Sequence, residues 1–388
     1  MNIENFSQAV VSKYTSRDIA TEHVRRPYVT SILTDELTDS TRVSILSMTG
    51  KQLAVMPVIN DGQPPVSDSL MPFSLHEVSL MHYWVECGRS HHTFLQLRKK
   101  LHSMRGSGAT DAQIQSVIDA MFTGLYSDRI DRKQDLEALQ LCQVLSNISS
   151  DGTTYSGFNT TGWIHNDKYQ YLIDGLQYSG EVFPTNTNPA IWLLNNLVDN
   201  SRGAPNEIWV GTKIRDWFLS WEGWRQYNLF QQPQRFMLNV DGVEVPAKGA
   251  SLLYEIEGIR IICIDYKVSN ISSIEDPSAT DTTLRYPYQK YRIFNENAAV
   301  CLNTNTLGSL LYSPPQFDTT NPITTSINMN EKLNFYKSYN PKHPEKDSVY
   351  RSEGFSLAAV KDLSSIVALV NVAPSSPEPS EPSEPPEP

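Results

Sequence analysis

The chain has no apolar run near the roughly 18 residues that a bilayer-spanning helix requires. Its opening residues, MNIENFSQ, carry no basic stretch and no apolar core, so they do not read as a secretory leader. Cysteine is scarce: Cys87, Cys142, Cys263 and Cys301 are scattered, and no C-x-x-C occurs, which argues against a compact metal knuckle. Cys263 in RIICIDY and Cys301 in AAVCLN sit in apolar runs and read as buried free thiols, so a reducing cytoplasm is expected. Positive charge is also short. The net charge is −11, four units of it in the last fifteen residues, and there is no basic stripe with which to grip phosphates.

Motifs of catalysis are missing as well. There is no G-x-S-x-G, no G-x-x-x-x-G-K-[ST], no strand-linked G-x-G-x-x-G and no H-E-x-x-H. His82, His91, His92 and His102 cluster in sequence. His91 and His92 are adjacent, though, and cannot both face one ion from a helix, so surface and cap histidines are the reading. Asp128, Asp131 and Asp135 alternate with Arg129, Arg132 and Lys133, a pattern that i,i+4 ion pairs such as Asp128 with Arg132 explain without a cation. No catalytic, cofactor or metal residues are assigned, and no enzyme activity is expected.

What is present is a distinctive order of elements. Residues 1–42 are polar, with few large anchors, and read as an arm lying on something else. TRVSILSM is a strand, TGKQ turns, and QLAVMPVINDGQPP follows as a strand apolar on both faces. Such a strand has to be covered on both sides, while its prolines argue against a central place in its own sheet. FSLHEVSLMHYWVECG alternates as a returning strand, so residues 43–86 read as a long hairpin.

Ile114, Val117, Ile118, Met121 and Leu125 then repeat at three and four, continued by Leu136, Leu139 and Gln143, with Thr110 or Asp111 as the cap. Unbroken, that helix is about 36 residues, on the order of 54 Å. An α/β stretch follows: helix PAIWLLNNLVDNS, strand PNEIWVG, helix TKIRDWFLSWEGWRQY, then RFMLNV, VEVPA and SLLYEIEGIRIICIDYKV with a Glu-Gly turn. ENAAVCLN and SSIVALVNV are the last convincing strands. Trp217, Trp221, Trp224 and Tyr227 recur at helical spacing, as a helix packed on a sheet or as a sugar-stacking platform with Glu222 as acid. The closing PSSPEPSEPSEPPEP has seven prolines and four glutamates and nothing to pack, so it reads as a stiff anionic tail.

This order resembles the major capsid proteins of tailed bacteriophages, with the Hong Kong 97-type fold and nearest the lambda-type branch. VSILSMTGKQLAVMPVINDGQPP is similar to the family's extended loop. NEIWVGTKIRDWFLS, YEIEGIRIICIDYKV and NENAAVCLNTNTLGSLLYSP resemble passages of its axial lobe. The resemblance covers about residues 20–373 and implies an α+β fold. Its parts would be an N-terminal arm (1–42), an extended β-hairpin loop (43–80) and a peripheral domain (81–165) with a spine helix at about 111–147. An axial domain (166–340), a return to the peripheral domain (341–373) and the tail (374–388) would complete it. Ser364 to Val372 would be the returning strand.

The resemblance further implies that Leu53, Val55, Met56, Pro57, Val58, Ile59, Asp61, Gln63, Pro64 and Pro65 contact a neighbouring subunit. Pentamers and hexamers of one chain would form an icosahedral virion shell, assembled in the host bacterial cytoplasm. That shell would enclose double-stranded DNA without sequence-specific binding or any membrane. Expected partners are a portal, a separate scaffolding protein and a decoration protein. The competing readings are an encapsulin-like nanocompartment shell, and a carbohydrate-binding or carbohydrate-active protein using Trp217 to Tyr227.

Overall fold

The computed structural model describes residues 26–48, 73–88, 99, 102–110, 112–113, 131–146, 177–179, 187–223, 234–240, 243–269, 290–313, 324–330, 333–338 and 349–369. The first strands are β1 (Thr34–Leu37), β2 (Arg42–Met48), β3 (Phe73–Ser79) and β4 (Met81–Gly88). Next come β5 (Gln177–Ser179), β6 (Glu207–Val210), β7 (Gln234–Val240), β8 (Val243–Ile256) and β9 (Ile259–Ile264). Two short strands, β10 (Lys267–Ser269) and β11 (Lys290–Arg292), pair with each other. The last six are β12 (Ala299–Leu302), β13 (Gly308–Ser313), β14 (Thr324–Asn330), β15 (Leu333–Ser338), β16 (Val349–Val360) and β17 (Val367–Leu369). Helix and strand are interspersed, and the class is α+β.

A seven-stranded sheet runs β5-β17-β12-β6-β9-β8-β7. Its middle strands read as unbroken apolar runs because both faces are covered. Trp209, Ile262, Ile264, Val300 and Leu302 point into one core. Their alternating neighbours Ile208, Val210, Ile261, Cys263, Ala299 and Cys301 point into a second. That second core lies beneath the helical turns Pro189–Leu193 and Leu194–Val198 and the helix Thr212–Ser220. The β8–β9 connection is a two-residue turn with positive φ at both Glu257 (54°) and Gly258 (80°), the geometry a twisted hairpin favours. Burial pushes the Cys263 and Cys301 thiols up to about 12, which leaves them chemically quiet.

A six-stranded sheet runs β1-β13-β16-β15-β14, with β4 also on β16. The first core fills the space between the two sheets and takes in the 131–146 helix. Leu139 lies in that core and Leu136 packs against it, as the helical spacing predicts. The helix is not, however, a strut with one wet face. Lys133, Gln134, Glu137, Gln140, Gln143 and Ser146 are also buried. Glu137 pairs with Lys133 at 2.8 Å and accepts from Ser356 of β16. Gln143 donates to the Ile293 carbonyl at 2.9 Å. Asp135 accepts from Tyr266 at 2.5 Å. Most polar groups buried at this depth persist because they are partnered; the Gln134 side-chain oxygen is buried with no hydrogen-bond partner among the described residues.

Three sequence expectations need correcting. Residues 26–37 are not an arm lying elsewhere: Tyr28, Val29 and Leu33 are in the chain's own core, and β1 pairs parallel with β13. Met81–Gly88 is not part of the hairpin's returning arm, because it leaves at Leu80 and pairs with β16. The strand in Ser364–Val372 exists as β17, but it lies in the seven-stranded sheet between β5 and β12. The central member of the other sheet is β16.

Candidate subunit-contact ribbon and the junction that holds it

Among the described residues, strands β2 and β3 form a two-stranded sheet of their own, from Arg42 opposite Ser79 to Met48 opposite Phe73, with one isolated bridge from Met48 to Asp362. Alternation divides their side chains into two faces. On the inner face Ile45, Ser47 and Val78 are buried against the body of the molecule. On the outer face Leu46 and Leu75 sit directly opposite one another, 54% and 67% exposed. Met48, on the same face, is 38% exposed. A directly opposed apolar pair on a two-stranded ribbon is the unit that usually stabilises a sheet when something covers it. Here nothing in the same chain does so among the described residues.

The ribbon closes on itself at one end and is held to the β16–β17 crossing at the other. At one end the Leu80 amide donates to the Thr41 carbonyl, 2.8 Å. At the other, the Met48 amide donates to the Lys361 carbonyl at 2.6 Å. The Met48 carbonyl accepts from the Leu363 and Ser364 amides at 2.8 and 3.0 Å. These contacts fall where β16 leaves one sheet and β17 enters the other. Asp362 organises that crossing. Its Oδ1 accepts from the Ser364 amide (3.0 Å) and hydroxyl (2.5 Å), and its Oδ2 accepts from the Ser365 hydroxyl (2.7 Å). Thr306, from the neighbouring β12–β13 crossing, donates to Oδ2 at 2.5 Å. Burial pushes the Asp362 carboxyl up, but the bonds from Ser364, Thr306 and Ser365 outweigh it and leave it below the ordinary carboxylate value.

A second buried carboxylate, Glu207 of β6, is fully enclosed. Arg260 donates to it at 2.5 Å, the Trp209 indole N–H at 2.8 Å, and the Tyr28 hydroxyl lies 2.7 Å from both its oxygens. Burial dominates all the same and holds its carboxyl above the ordinary range, against the pull of Trp209, Tyr28 and Arg260. Sequence reasoning did not find Glu207 or Asp362. Each is a lone acid beside apolar strands, and only the tertiary structure brings the donors.

The ten loop residues from Leu53 to Pro65 lie outside the described residues, as do Ile114, Val117, Ile118, Met121 and Leu125. Thr110 does cap the helical residues 112–113. Its hydroxyl accepts from the Gln113 amide, and the Gln113 side chain accepts from the Thr110 amide. His82 stacks on Phe355 and pairs with Glu353, which fits a surface histidine, whereas His91 and His92 fall outside the described residues. Trp217 meets Trp192 edge-on against the second core, and the helix bearing it stops at Ser220. Trp224 and Tyr227 lie outside the described residues. Among the described residues no three His, Cys, Asp or Glu side chains are grouped to hold a metal, and no helix is long and apolar enough to cross a membrane.

No family model matches the sequence, and no curated protein matches it. Solved structures do. One is a protein assigned as the capsid protein of an Escherichia coli CFT073 prophage, 11% identical, covering 95% of this chain and 99% of that one with a TM-score of 0.49. Another is in the procapsid of satellite phage P4, at 10% identity, 92% and 91% coverage and a TM-score of 0.39. A third is the SrpI encapsulin of Synechococcus elongatus PCC 7942, at 13% identity, 88% and 85% coverage and a TM-score of 0.39.

Proposed function

We propose that this chain is a phage major capsid protein of the Hong Kong 97 type. In this reading pentamers and hexamers close an icosahedral shell around double-stranded DNA, and the protein is a structural component without turnover. Portal, scaffolding and decoration proteins would be its partners, and the virion its location after assembly in a bacterial host. The observation that carries the reading is the outer face of the β2–β3 ribbon, where Leu46 and Leu75 stand opposed and uncovered. In sequence, β2 is followed by the apolar segment 53–59, which in this reading would also be covered by a neighbour. Fully burying a leucine contributes roughly 1.5–3 kcal/mol. The pair therefore supplies a few kcal/mol per contact toward an association cost of roughly 4–15 kcal/mol, and the rest of the interface has to supply the balance. The acidic balance supports an inner wall that does not trap DNA during filling.

The test is Leu75→Asp, examined by sedimentation velocity and negative-stain microscopy beside the wild type. Wild-type protein is expected to form capsomers or megadalton particles. The variant is expected to stay small while melting as the wild type does, because a substitution at an exposed site changes stability by only about 0.5 kcal/mol. A wild type that remains monomeric at every concentration would refute the shell reading.

A further inference from the structure

The segment from Arg26 to Leu37 touches both sheets. At its start, Pro27 bridges to Lys248 of β8, and Tyr28 inserts between Trp209 and Phe236 to reach Glu207 on β6. At its end, β1 is itself the edge strand of the six-stranded sheet, paired with β13, and Lys361 beside β16 pairs with Glu36. Between the two ends, Arg26 grips Asp35 with two parallel bonds of 3.0 Å, so the segment is tied to itself across its own bend. We propose that residues 26–37 are a strap joining the two sheets, that Tyr28 on Glu207 is its catch, and that it releases as one unit while both sheets stay folded.

Four features point to release as a unit. The Arg26–Asp35 fork makes the two ends move together. Lifting the strap also costs neither sheet an internal strand: β13 remains on β16, and β8 remains between β7 and β9. All four residues of β1 are exposed, so that end is held by edge pairing rather than by burial. The catch, finally, is built on a carboxylate in a water-free place. An enclosed charge gains back hydration when its cover lifts, and Arg260, itself partly exposed, keeps its pair with Glu207 in the opened state. The remaining cost of opening is the apolar burial of the Tyr28 ring, Val29 and Leu33 in the first core. The strap's behaviour does not depend on whether the chain forms shells.

The experiment is amide hydrogen exchange, resolved by peptide, on the full chain. Tyr28→Phe removes the catch's hydroxyl and leaves the ring. It is expected to speed exchange across residues 28–37 together by about tenfold, the size of one hydrogen bond to a charged group, with β6, β9 and β16 unchanged. Tyr266→Phe, which removes a tyrosine donor from the Asp135 carboxylate on the 131–146 helix, is the control and should leave 28–37 alone. Acceleration confined to the residues next to position 28, or spread equally through β6 and β9, would overturn the proposal. The wild type gives a second reading should the variant not fold. Under low urea the 28–37 amides should share one opening with a smaller urea slope than β9. Equal slopes would overturn it too.

Discussion

Glu207 and Asp362 are both buried acids with several donors, yet acid should affect them in opposite senses. Glu207's folded value is raised above its ordinary 4.5, so the stability it contributes is present below that value and is lost as pH rises through the raised one. Asp362's folded value is lowered from 3.8, so its contribution is present above 3.8 and is lost as pH falls through the depressed one. Urea midpoints measured against pH should separate them. Glu207→Gln is expected to flatten the decline in stability just above pH 4.5. Asp362→Asn is expected to flatten the loss below pH 3.8. Glycine supplies a second prediction at this scale. A methyl at Gly211 would overlap the backbone carbonyls of Asn295 and Glu296, which cannot swing aside as a side chain could. Gly211→Ala should therefore cost about 1–3 kcal/mol in denaturant titrations, the usual range for overpacking.

Among the elements, legibility followed how each strand is covered. β6, β9 and β12 could be read from sequence because apolar cover on both faces leaves an unbroken run, and the Glu-Gly turn because its chemistry is local. β16 could not. Its first half carries Arg351 and Glu353 and its second half is FSLAAV, so neither a two-residue period nor a continuous run spans all twelve residues. β1, written TDEL, has no apolar pattern to find, since it is placed by a parallel partner some 270 residues away. The contact ribbon was legible as strands, but which of its faces stayed bare depends on what Ile45 and Val78 pack against. The 131–146 helix shows the same limit: its apolar stripe was visible, whereas the burial of Lys133 and Glu137 required β16 to supply Ser356. Leu139 lies at the middle of that enclosed helix. Leu139→Ala should lower the unfolding free energy by about 2–5 kcal/mol, as measured by urea denaturation.

At the scale of the whole molecule, the shell reading separates parts that build the fold from parts that do not. The fifteen closing residues contain seven prolines and no large apolar side chain to bury. Deleting 374–388 is expected to leave both melting temperature and particle formation unchanged, as judged by calorimetry and negative-stain microscopy. Loss of particles would assign the tail a part in assembly. The strap and the Asp362 junction belong to the other category, since each binds both sheets at once.

β17 lies between β5 and β12, so the seven-stranded sheet is divided until residues 367–369 arrive. On the ribosome, β5 has therefore been made for nearly two hundred residues before β17, its only partner strand among the described residues, exists. The lobe cannot mature from its leading end as a chain of successive units would. Nascent polypeptide has to wait, with an open flank on β12, until translation has passed Leu369.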